Sequence, residues 1–184
     1  FRRVLFRSSQ QQWGYDLKYE GSRLTLSLRH PPQLSRKAKR NLQGISILLD
    51  PGHGGSETGA RGPNGDPEKD INLAIAKLLK QELLQRGATI YLTRESDQDV
   101  SLPERVEAIA KLKPTVSISL HYNALPDGGD AINTKGISAF WYHPQAHDLA
   151  VFLQNYLVEK LKQIRKSTRL NSSHTVISYA VFCL

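Results

Sequence analysis

Three residues that lie far apart in the sequence have side chains that could bind one metal ion. His53 stands among four glycines in the stretch ILLDPGHGGSETGA, Glu68 follows it, and His121 ends the run SISLH. Neutral imidazoles and a carboxylate suit Zn²⁺, and three protein ligands leave one coordination position for water. Because glycine costs conformational entropy on folding, four glycines around a histidine indicate a tight turn or a close approach to a ligand.

Four short apolar runs predict the strands that would carry these residues: ISILLD, ATIYLT, TVSISL and GISAFWY. Helical patterns separate the first three runs, so the order is strand, helix, strand, helix, strand. This order predicts an α/β fold with right-handed crossovers and a mostly parallel twisted sheet flanked by helices.

Two of the predicted helices have recognisable ends. The first is predicted to begin with Asp66 as the N-cap and Pro67 at the first helical position, and to end at Gly87. The second opens with Ser101 and Glu104, whose types and spacing are those of a capping box. Each helix is predicted to connect one strand to the next along the chain.

Apolar spacing predicts the faces that the later helices bury. A last helix is predicted over residues 145–164, where the apolar residues recur at helical spacing. Its predicted stripe consists of Leu149, Phe152, Leu153, Tyr156, Leu157 and Leu161. The capped second helix is predicted to pack through Leu102, Val106 and Ile109.

The predicted sheet would bring the three candidate ligands to one edge. Ligands of open α/β sheets bind beyond the carboxyl ends of the strands. His53 lies just past the end of the first strand, His121 ends the third, and Glu68 is near the start of the helix that leaves the first loop. Each also has an ordinary interpretation: a surface histidine in a turn, a glutamate that complements a helix dipole, and a hydrogen-bonded core histidine.

Other motifs in the chain favour no competing chemistry. The glycine-rich loop has no Gly-Lys-Ser/Thr ending, does not match the dinucleotide fingerprint, and forms no nucleophile elbow around Ser56. His143 and His147 could pair on a metal, but the intervening Pro144 favours His143 as a helix cap and His147 as an exposed first-turn residue. The acid-rich TRESDQD is predicted to be a solvated loop, and the aromatic residues of GISAFWY are predicted to be strand residues.

The charge of the chain does not favour a nucleic-acid partner. The formal net charge is +8, from 25 basic and 17 acidic residues. Five of the basic residues lie in the terminal stretches 1–8 and 166–184, and without them the balance is 20 against 17, or +3. We therefore expect no nucleic acid to bind. No run approaches the roughly 20 apolar residues of a membrane helix, so we expect no membrane span in this sequence.

Composition divides the chain into five stretches. Residues 1–8 and 166–184 resemble translated sequencing-adapter read-through and are predicted to be artefacts. Residues 9–30 contain a hairpin with its turn near Gly21 and are predicted to end an upstream β-rich domain. Residues 31–44, polar and opened by two prolines, are a predicted linker. Residues 45–165 form the predicted α/β domain, which we expect to be truncated at its C-terminus and therefore incomplete.

Several motifs, taken in order, resemble one enzyme family. ILLDPGHGG, GPNGDPEKDINLAIA, YLTRESDQDVSLPERVEAIA, SISLHYNA and KGISAFWY resemble the zinc-dependent N-acetylmuramoyl-L-alanine amidases of bacterial cell walls. The resemblance covers residues 45–164. It implies that His53, Glu68 and His121 bind Zn²⁺, which are the same three residues that the sheet-edge argument selects. The upstream strands are similar to the end of the β-rich wall-binding domains of some family members.

The resemblance also implies a reaction, partners and a location. The expected reaction is hydrolysis of the amide between N-acetylmuramic acid and L-alanine in peptidoglycan, in the periplasm or cell wall, for wall turnover or daughter-cell separation. An activator protein is a further expected partner. The family supplies a general-base glutamate from a late strand, and this sequence does not contain that motif, so the catalytic residue is unknown.

Three functions remain open at the level of sequence. The first is the amidase, with the chain as given hydrolysing wall material poorly or not at all. The second is a non-catalytic zinc-binding or wall-binding fragment that lacks the general base. The third is a basic protein that binds anionic polymers, whose affinity would fall steeply with salt.

Overall fold

The computed structural model shows two compact units, Phe1–Gln33 and Leu34–Leu184. The boundary between the two units falls inside the predicted linker, residues 31–44. The division of the chain into five stretches stays a prediction. Most of the predicted artefacts, at 1–8 and 166–184, lie outside the described residues. The structure describes residues 9, 13–34, 40–62, 64–122 and 136–162, and the backbone alone of 165–170 and 180–183.

The first unit contains a two-stranded hairpin. Strands β1 (Gly14–Glu20) and β2 (Arg23–Arg29) pair antiparallel, and Gly21 has a positive φ of 61° in the turn. The predicted hairpin is thereby confirmed. Large apolar side chains meet in cross-strand pairs, yet each of them is about half exposed or more: Tyr15 with Leu28, Leu17 with Leu26 and Tyr19 with Leu24.

The second unit is built on a six-stranded sheet. Its strands are β3 (Ser46–Pro51), β4 (Thr89–Leu92), β5 (Val116–His121), β6 (Ile137–Trp141), β7 (Arg165–Leu170) and β8 (Ala180–Cys183). They lie in the order β4-β3-β5-β8-β6-β7, and every neighbouring pair is parallel except β6 with β8. The prediction of a mostly parallel sheet is confirmed.

The last two strands of the chain are not predicted by the sequence. Residues 165–170 are mainly polar, and residues 180–183 form only a four-residue run, so neither carries a clear strand period. Their pairing partners nevertheless place β8 between β5 and β6 and place β7 at the edge of the sheet. Strand position here is decided by pairing with distant strands, which local sequence does not record.

Three helices flank this sheet: α1 (Glu68–Gln85), α2 (Leu102–Leu112) and α3 (His147–Leu161), the last preceded by a 3-10 turn at Pro144–Ala146. On one face, Leu49 of β3 packs in a cluster with Leu79 and Leu83 of α1. Side chains alternate along a strand, and the next residue, Asp50, forms an ion pair with Arg105 of α2. Helices therefore cover both faces. None of the described helices is both long and apolar enough to cross a membrane.

The start of α1 differs from the prediction. Pro67, not Asp66, occupies the N-cap position, and no side chain caps the helix. Instead, the amide of Glu68 donates to the carbonyl of Ala60 at 2.8 Å, and the amide of Lys69 donates to the carbonyl of Thr58 at 3.1 Å. Loop carbonyls satisfy the free helical amides, so a capping side chain is not needed. The predicted end is confirmed, since Gly87 follows the helix with a φ of 91°.

The predicted apolar faces of α2 and α3 are partly wrong. The capping box of Ser101 and Glu104 is present, but Leu102 is exposed and the buried residue of α2 is Arg105. In α3, the fully buried residues are Ala150 and Gln154, and the amide nitrogen of Gln154 donates to the carbonyl of Ile137 at 2.7 Å. The buried face of α3 is centred on these two residues, so part of the predicted stripe is exposed, namely Phe152, Tyr156 and Leu161.

Candidate metal centre

The structure brings the three predicted ligands together. His53 Nε2 lies 3.4 Å from Glu68 Oε2, and His121 Nδ1 lies 3.0 Å from Glu68 Oε1. One potential ligand atom from each residue can be chosen so that all three lie within 4.8 Å of one another. Glu68 is buried, whereas the two histidine side chains keep 28% and 26% of their surface exposed. The cluster could therefore hold a metal ion and still be reached from solvent.

Two backbone amides fix the carboxylate of Glu68. Ala60 N donates to Oε2 and Tyr122 N donates to Oε1, each at 2.9 Å. Ala60 belongs to the glycine-rich loop, and Tyr122 directly follows His121 at the end of β5. Both oxygens of Glu68 are thus positioned by the same two segments that carry the histidines.

The cluster favours an ionised carboxylate beside a neutral imidazole. Burial alone would raise the pKa of Glu68, but hydrogen bonds from His121, Ala60 and Tyr122 outweigh it and lower the pKa to about 2. Burial lowers the pKa of His53, although the nearby charge of Glu68 partly offsets this effect. Metal ligands must be deprotonated, so at neutral pH these two groups are already in the form that a metal requires.

Glycines allow the close approach of the three side chains. A Cβ on Gly52 would lie only 2.2 Å from Cε1 of His121, and a Cβ on Gly59 would lie 2.6 Å from Cδ2 of His53 and 2.7 Å from Oε2 of Glu68. Such separations do not occur between non-bonded atoms, so no larger residue fits without displacing a candidate ligand. His53 itself has a φ of 60°, in the left-handed region that non-glycine residues seldom adopt.

Two buried arginines hold the backbone beneath His53. Arg105 pairs with the carboxylate of Asp50 and donates to the carbonyls of Pro51 at 3.1 Å and His53 at 2.9 Å. Arg94 is only 2% exposed and donates to the carbonyls of Pro51 at 3.0 Å and Gly52 at 3.1 Å. Sequence reasoning missed both, because nothing in the local pattern distinguishes a buried arginine from a solvated one.

The loop after β4, predicted to be solvated, has exposed acidic side chains. These side chains nevertheless form hydrogen bonds to the turn that contains His53. Asp97 accepts from the amide of Gly55 at 2.8 Å, and Asp99 accepts from the amide and the hydroxyl of Ser56 at 2.8 and 2.7 Å. Lys69 donates to Gly55 O at 2.8 Å and to Asp97 at 2.6 Å. These hydrogen bonds lower the pKa of both aspartates. The loop thus fastens the turn that follows His53.

His143 and His147 lie outside this cluster. His143 precedes the 3-10 turn, in the N-cap position but without a side-chain cap bond, and His147 begins α3, half exposed and 2.9 Å from Asp148. Strand β6 runs antiparallel to β8, so its carboxyl end faces away from the edge that carries His121. Over the described ranges, the set of His53, Glu68 and His121 is the one group of three potential ligands close enough to share an ion.

Comparison with known proteins agrees with this geometry. Residues 47–182 match the N-acetylmuramoyl-L-alanine amidase family model, Amidase_3. The chain is 38% identical over 126 residues to a protein described as a probable cell wall amidase, LytH of Staphylococcus aureus. That match covers 67% of this chain and 40% of LytH, so the chain spans about two fifths of the length of such relatives.

Solved structures share the fold. The amidase AmiC2 of Nostoc punctiforme superposes with a TM-score of 0.67 at 29% identity, covering 75% of this chain and 77% of that one. The CwlD amidase of Clostridioides difficile, solved in complex with the GerS lipoprotein, superposes with a TM-score of 0.66 at 24% identity, covering 76% and 81%. At 24% identity, the match to CwlD shows similarity of fold alone. With most of its length matched by the family model, the chain belongs to the N-acetylmuramoyl-L-alanine amidase family.

Proposed function

We propose that His53, Glu68 and His121 bind one Zn²⁺ ion. The observation that carries this proposal is the convergence of two imidazoles and a buried carboxylate from three segments of the chain, with ligand atoms within 4.8 Å. Two nitrogen ligands and one oxygen ligand form a donor set typical of catalytic zinc, which keeps a position free for water. The exposed part of each histidine side chain supports access to that position.

We further propose that this site serves the hydrolysis of the amide between N-acetylmuramic acid and L-alanine in peptidoglycan. Membership of the amidase family supports the substrate. A zinc ion bound there would polarise the scissile carbonyl and lower the pKa of a bound water. The chain's own contribution is positional: Ala60 and Tyr122 hold the Glu68 carboxylate by their amides, and Arg105 holds the backbone of His53.

The general base is the part of the mechanism for which the described residues offer no clear candidate. Glu68 faces both histidines, and Glu57 lies on the Nδ1 side of His53, at 3.9 Å. Strand β8 pairs with β5, with Cys183 in register with His121, and residues 166–184 contain no acid. We therefore assign no general base among the described residues; such a base typically contributes a factor of about 10² to 10⁴ to the rate.

The partners and location follow from the proposed substrate. Peptidoglycan lies outside the cytoplasm, so we place the protein's action in the periplasm or cell wall. An activator protein stays a prediction; CwlD, a protein of the same fold, was solved in complex with a second protein, the GerS lipoprotein. The second candidate function is a non-catalytic zinc-binding or wall-binding fragment, which the lack of an acid in residues 166–184 favours.

Zinc binding is tested by mutating one histidine at the cluster and one elsewhere. The chelator-treated protein should take up one zinc ion per chain, measured by elemental analysis after dialysis. His53→Ala should abolish this uptake, because it removes one of three ligands. His147→Ala is the matched control, since that histidine is half exposed on α3, and it should bind zinc as the wild type does. Equal uptake by the two variants would refute the site.

The reaction is tested with purified peptidoglycan. Release of soluble stem peptides that stops on addition of a chelator and returns with zinc would support the amidase. If the protein binds zinc and peptidoglycan but releases no peptide over long incubation, the result would support the non-catalytic fragment. If binding to an anionic polymer persists in His53→Ala and disappears with increasing salt, the protein would instead be a basic polymer-binding protein.

A further inference from the structure

Gly52 is a junction of the three segments that carry the candidate ligands. It directly precedes His53 in the chain. Its amide donates to the carbonyl of Leu120 at 2.9 Å, next to His121, and its α-carbon lies against the His121 ring, where a Cβ would clash. Its carbonyl points the other way, toward α1. The position of this one peptide unit therefore affects the spacing of all three side chains.

Two buried side chains bridge the Gly52 carbonyl to the start of α1. Arg94 Nη2 donates to Gly52 O at 3.1 Å and to Lys69 O at 2.7 Å, one residue beyond Glu68. Asn72 Nδ2 donates to the same Gly52 O at 3.1 Å and to Oε1 of Glu68 at 3.3 Å. Each donor nitrogen thus contacts both the histidine turn and the helix that carries the carboxylate.

Asn72 is an unfavourable choice if only stability matters. The residue is fully buried, and its Oδ1 has no hydrogen-bond partner among the described residues. A buried acceptor without a partner costs folding free energy, which an apolar side chain of similar size would avoid. The side chain is therefore better explained by what its nitrogen holds, which is Gly52 O and the carboxylate of Glu68.

We propose that Arg94 and Asn72 are positioning residues for the metal site, and that they act through the Gly52 carbonyl. They set the distance between the turn bearing His53 and the helix bearing Glu68, while the Gly52 amide keeps the same turn against β5. Neither residue is a ligand. This inference rests on the proposed zinc site, and it adds two residues that the ligand set itself does not identify.

The test measures zinc affinity and folding separately in two variants. Asn72→Ala removes one bridge. Arg94→Lys keeps the charge but loses the planar guanidinium, which donates to the carbonyls of four residues: Pro51, Gly52, Lys69 and Ser96. Loss of such outer contacts typically weakens metal binding about 10- to 100-fold, and we expect a dissociation constant raised by that factor in each variant. Asn155→Ala, at an exposed position of α3, and Arg86→Lys, at the exposed C-cap of α1, are the matched controls and should bind zinc as the wild type does.

A second readout separates positioning from general structural support. Co²⁺ replaces zinc in such sites, and its visible absorption bands report the geometry of the ligands. The bands should shift in Asn72→Ala and Arg94→Lys, in samples whose metal-free unfolding temperature shows that they are folded. If Arg94→Lys does not fold, Asn72→Ala carries the test. Folded variants with wild-type zinc affinity and an unchanged cobalt spectrum would overturn the inference.

The double variant tests whether the two residues act through one carbonyl. Residues that share a partner have non-additive effects, so the factors by which the single variants weaken zinc binding should not simply multiply in the double variant. If the two factors do multiply in the double variant, the residues act independently, which would contradict the shared role of Gly52 O. A wild-type protein that binds no zinc would instead defeat the proposed metal site itself, which distinguishes that failure from failure of this inference.

Discussion

At the scale of single residues, the candidate metal site depends on small side chains as much as on the three candidate ligands. His53 adopts a left-handed backbone, and Gly52 and Gly59 leave the space that its ring, the His121 ring and the Glu68 carboxylate fill. A glycine next to a ligand is thus a packing requirement here. Gly62, further along the loop, carries no such constraint, and this difference can be tested directly.

Gly52→Ala should damage the site, whereas Gly62→Ala should not. The new methyl group would lie 2.2 Å from His121 at position 52, but its nearest neighbour at position 62 would be Asp66 O, at an ordinary 3.8 Å. Neither glycine has a positive φ, so the two changes differ in contact alone. We expect Gly52→Ala to lose about 1–3 kcal/mol of stability and most of the zinc affinity, measured by thermal unfolding and calorimetric titration. Similar losses in both variants would contradict this account.

The low pKa of Glu68 predicts a specific acid sensitivity of the metal-free protein. The carboxyl has a pKa of about 2 when folded and 4.5 as the reference value, so the unfolded chain takes up the proton first as the pH falls. The stabilisation is complete above pH 4.5 and is lost between there and about 2. It amounts to at most about 3 kcal/mol. His53, whose pKa is lowered from 6.5, adds a separate loss that begins below that pH.

Glu68→Gln isolates the carboxyl contribution. Urea unfolding of the chelator-treated wild type and of the variant, from pH 7 down to pH 3, gives the difference in the free energy of unfolding. The difference should shrink as the pH falls below 4.5, because only the wild type loses the charge. A difference that stays constant with pH would mean that Glu68 has an ordinary pKa in the folded state.

At the scale of elements, the site is assembled where helices meet the glycine-rich loop. Helix α1 begins on the carbonyls of Thr58 and Ala60, which places Glu68 in its first turn against the loop. Helix α2 contributes Arg105, which reaches across to Asp50 at the end of β3. The carboxylate of Asp50 also accepts from Thr93 Oγ1 at 2.6 Å and from Ser119 Oγ at 2.7 Å. Strands β3 and β5 and the chain after β4 therefore share one buried acid.

Asp50→Ala should be strongly destabilising. It leaves the buried guanidinium of Arg105 without its counter-charge, and breaking a buried ion pair costs about 3–5 kcal/mol. Glu95→Ala is the control, because it breaks the exposed ion pair with Lys80 and should change the unfolding temperature little. Chemical denaturation of both variants measures the effect. A small loss in Asp50→Ala would show that Arg105 finds another partner.

At the scale of the whole molecule, the chain forms two compact units, and the candidate site lies entirely in the second. The hairpin of the first unit has its large apolar side chains about half exposed or more on both strands. An isolated two-stranded hairpin is marginally stable in water. The two units should therefore differ greatly in their ability to fold alone.

Removing residues 1–33 should leave the zinc affinity and the main unfolding transition unchanged, because the three candidate ligands all belong to the second unit. The excised segment should show no cooperative unfolding by circular dichroism. A shortened chain that loses zinc binding would mean that the first unit supports the site. A segment that unfolds cooperatively on its own would mean that the hairpin is stable without further strands.

The fold class and the three candidate ligands could be assigned from the amino-acid sequence alone. Buried strands have apolar runs, helix ends have caps and glycines, and ligands of parallel sheets lie past the strand ends, so His53, Glu68 and His121 could be assigned to one edge. The capping box at Ser101 and the glycine that ends α1 were likewise readable. All of these signals are local, since each depends on residues within a few positions of one another.

Which polar residues are buried, and which groups they bind, depends on contacts that form only in the folded chain. Arg94 belongs to a stretch that looks solvated, yet it binds carbonyls from the histidine turn and from α1. Gln154 is likewise buried in α3 and donates to the carbonyl of Ile137, whereas Phe152 and Tyr156 of the predicted stripe are exposed. A polar side chain is buried only when partners from distant segments satisfy it, and those partners exist only once the chain has folded.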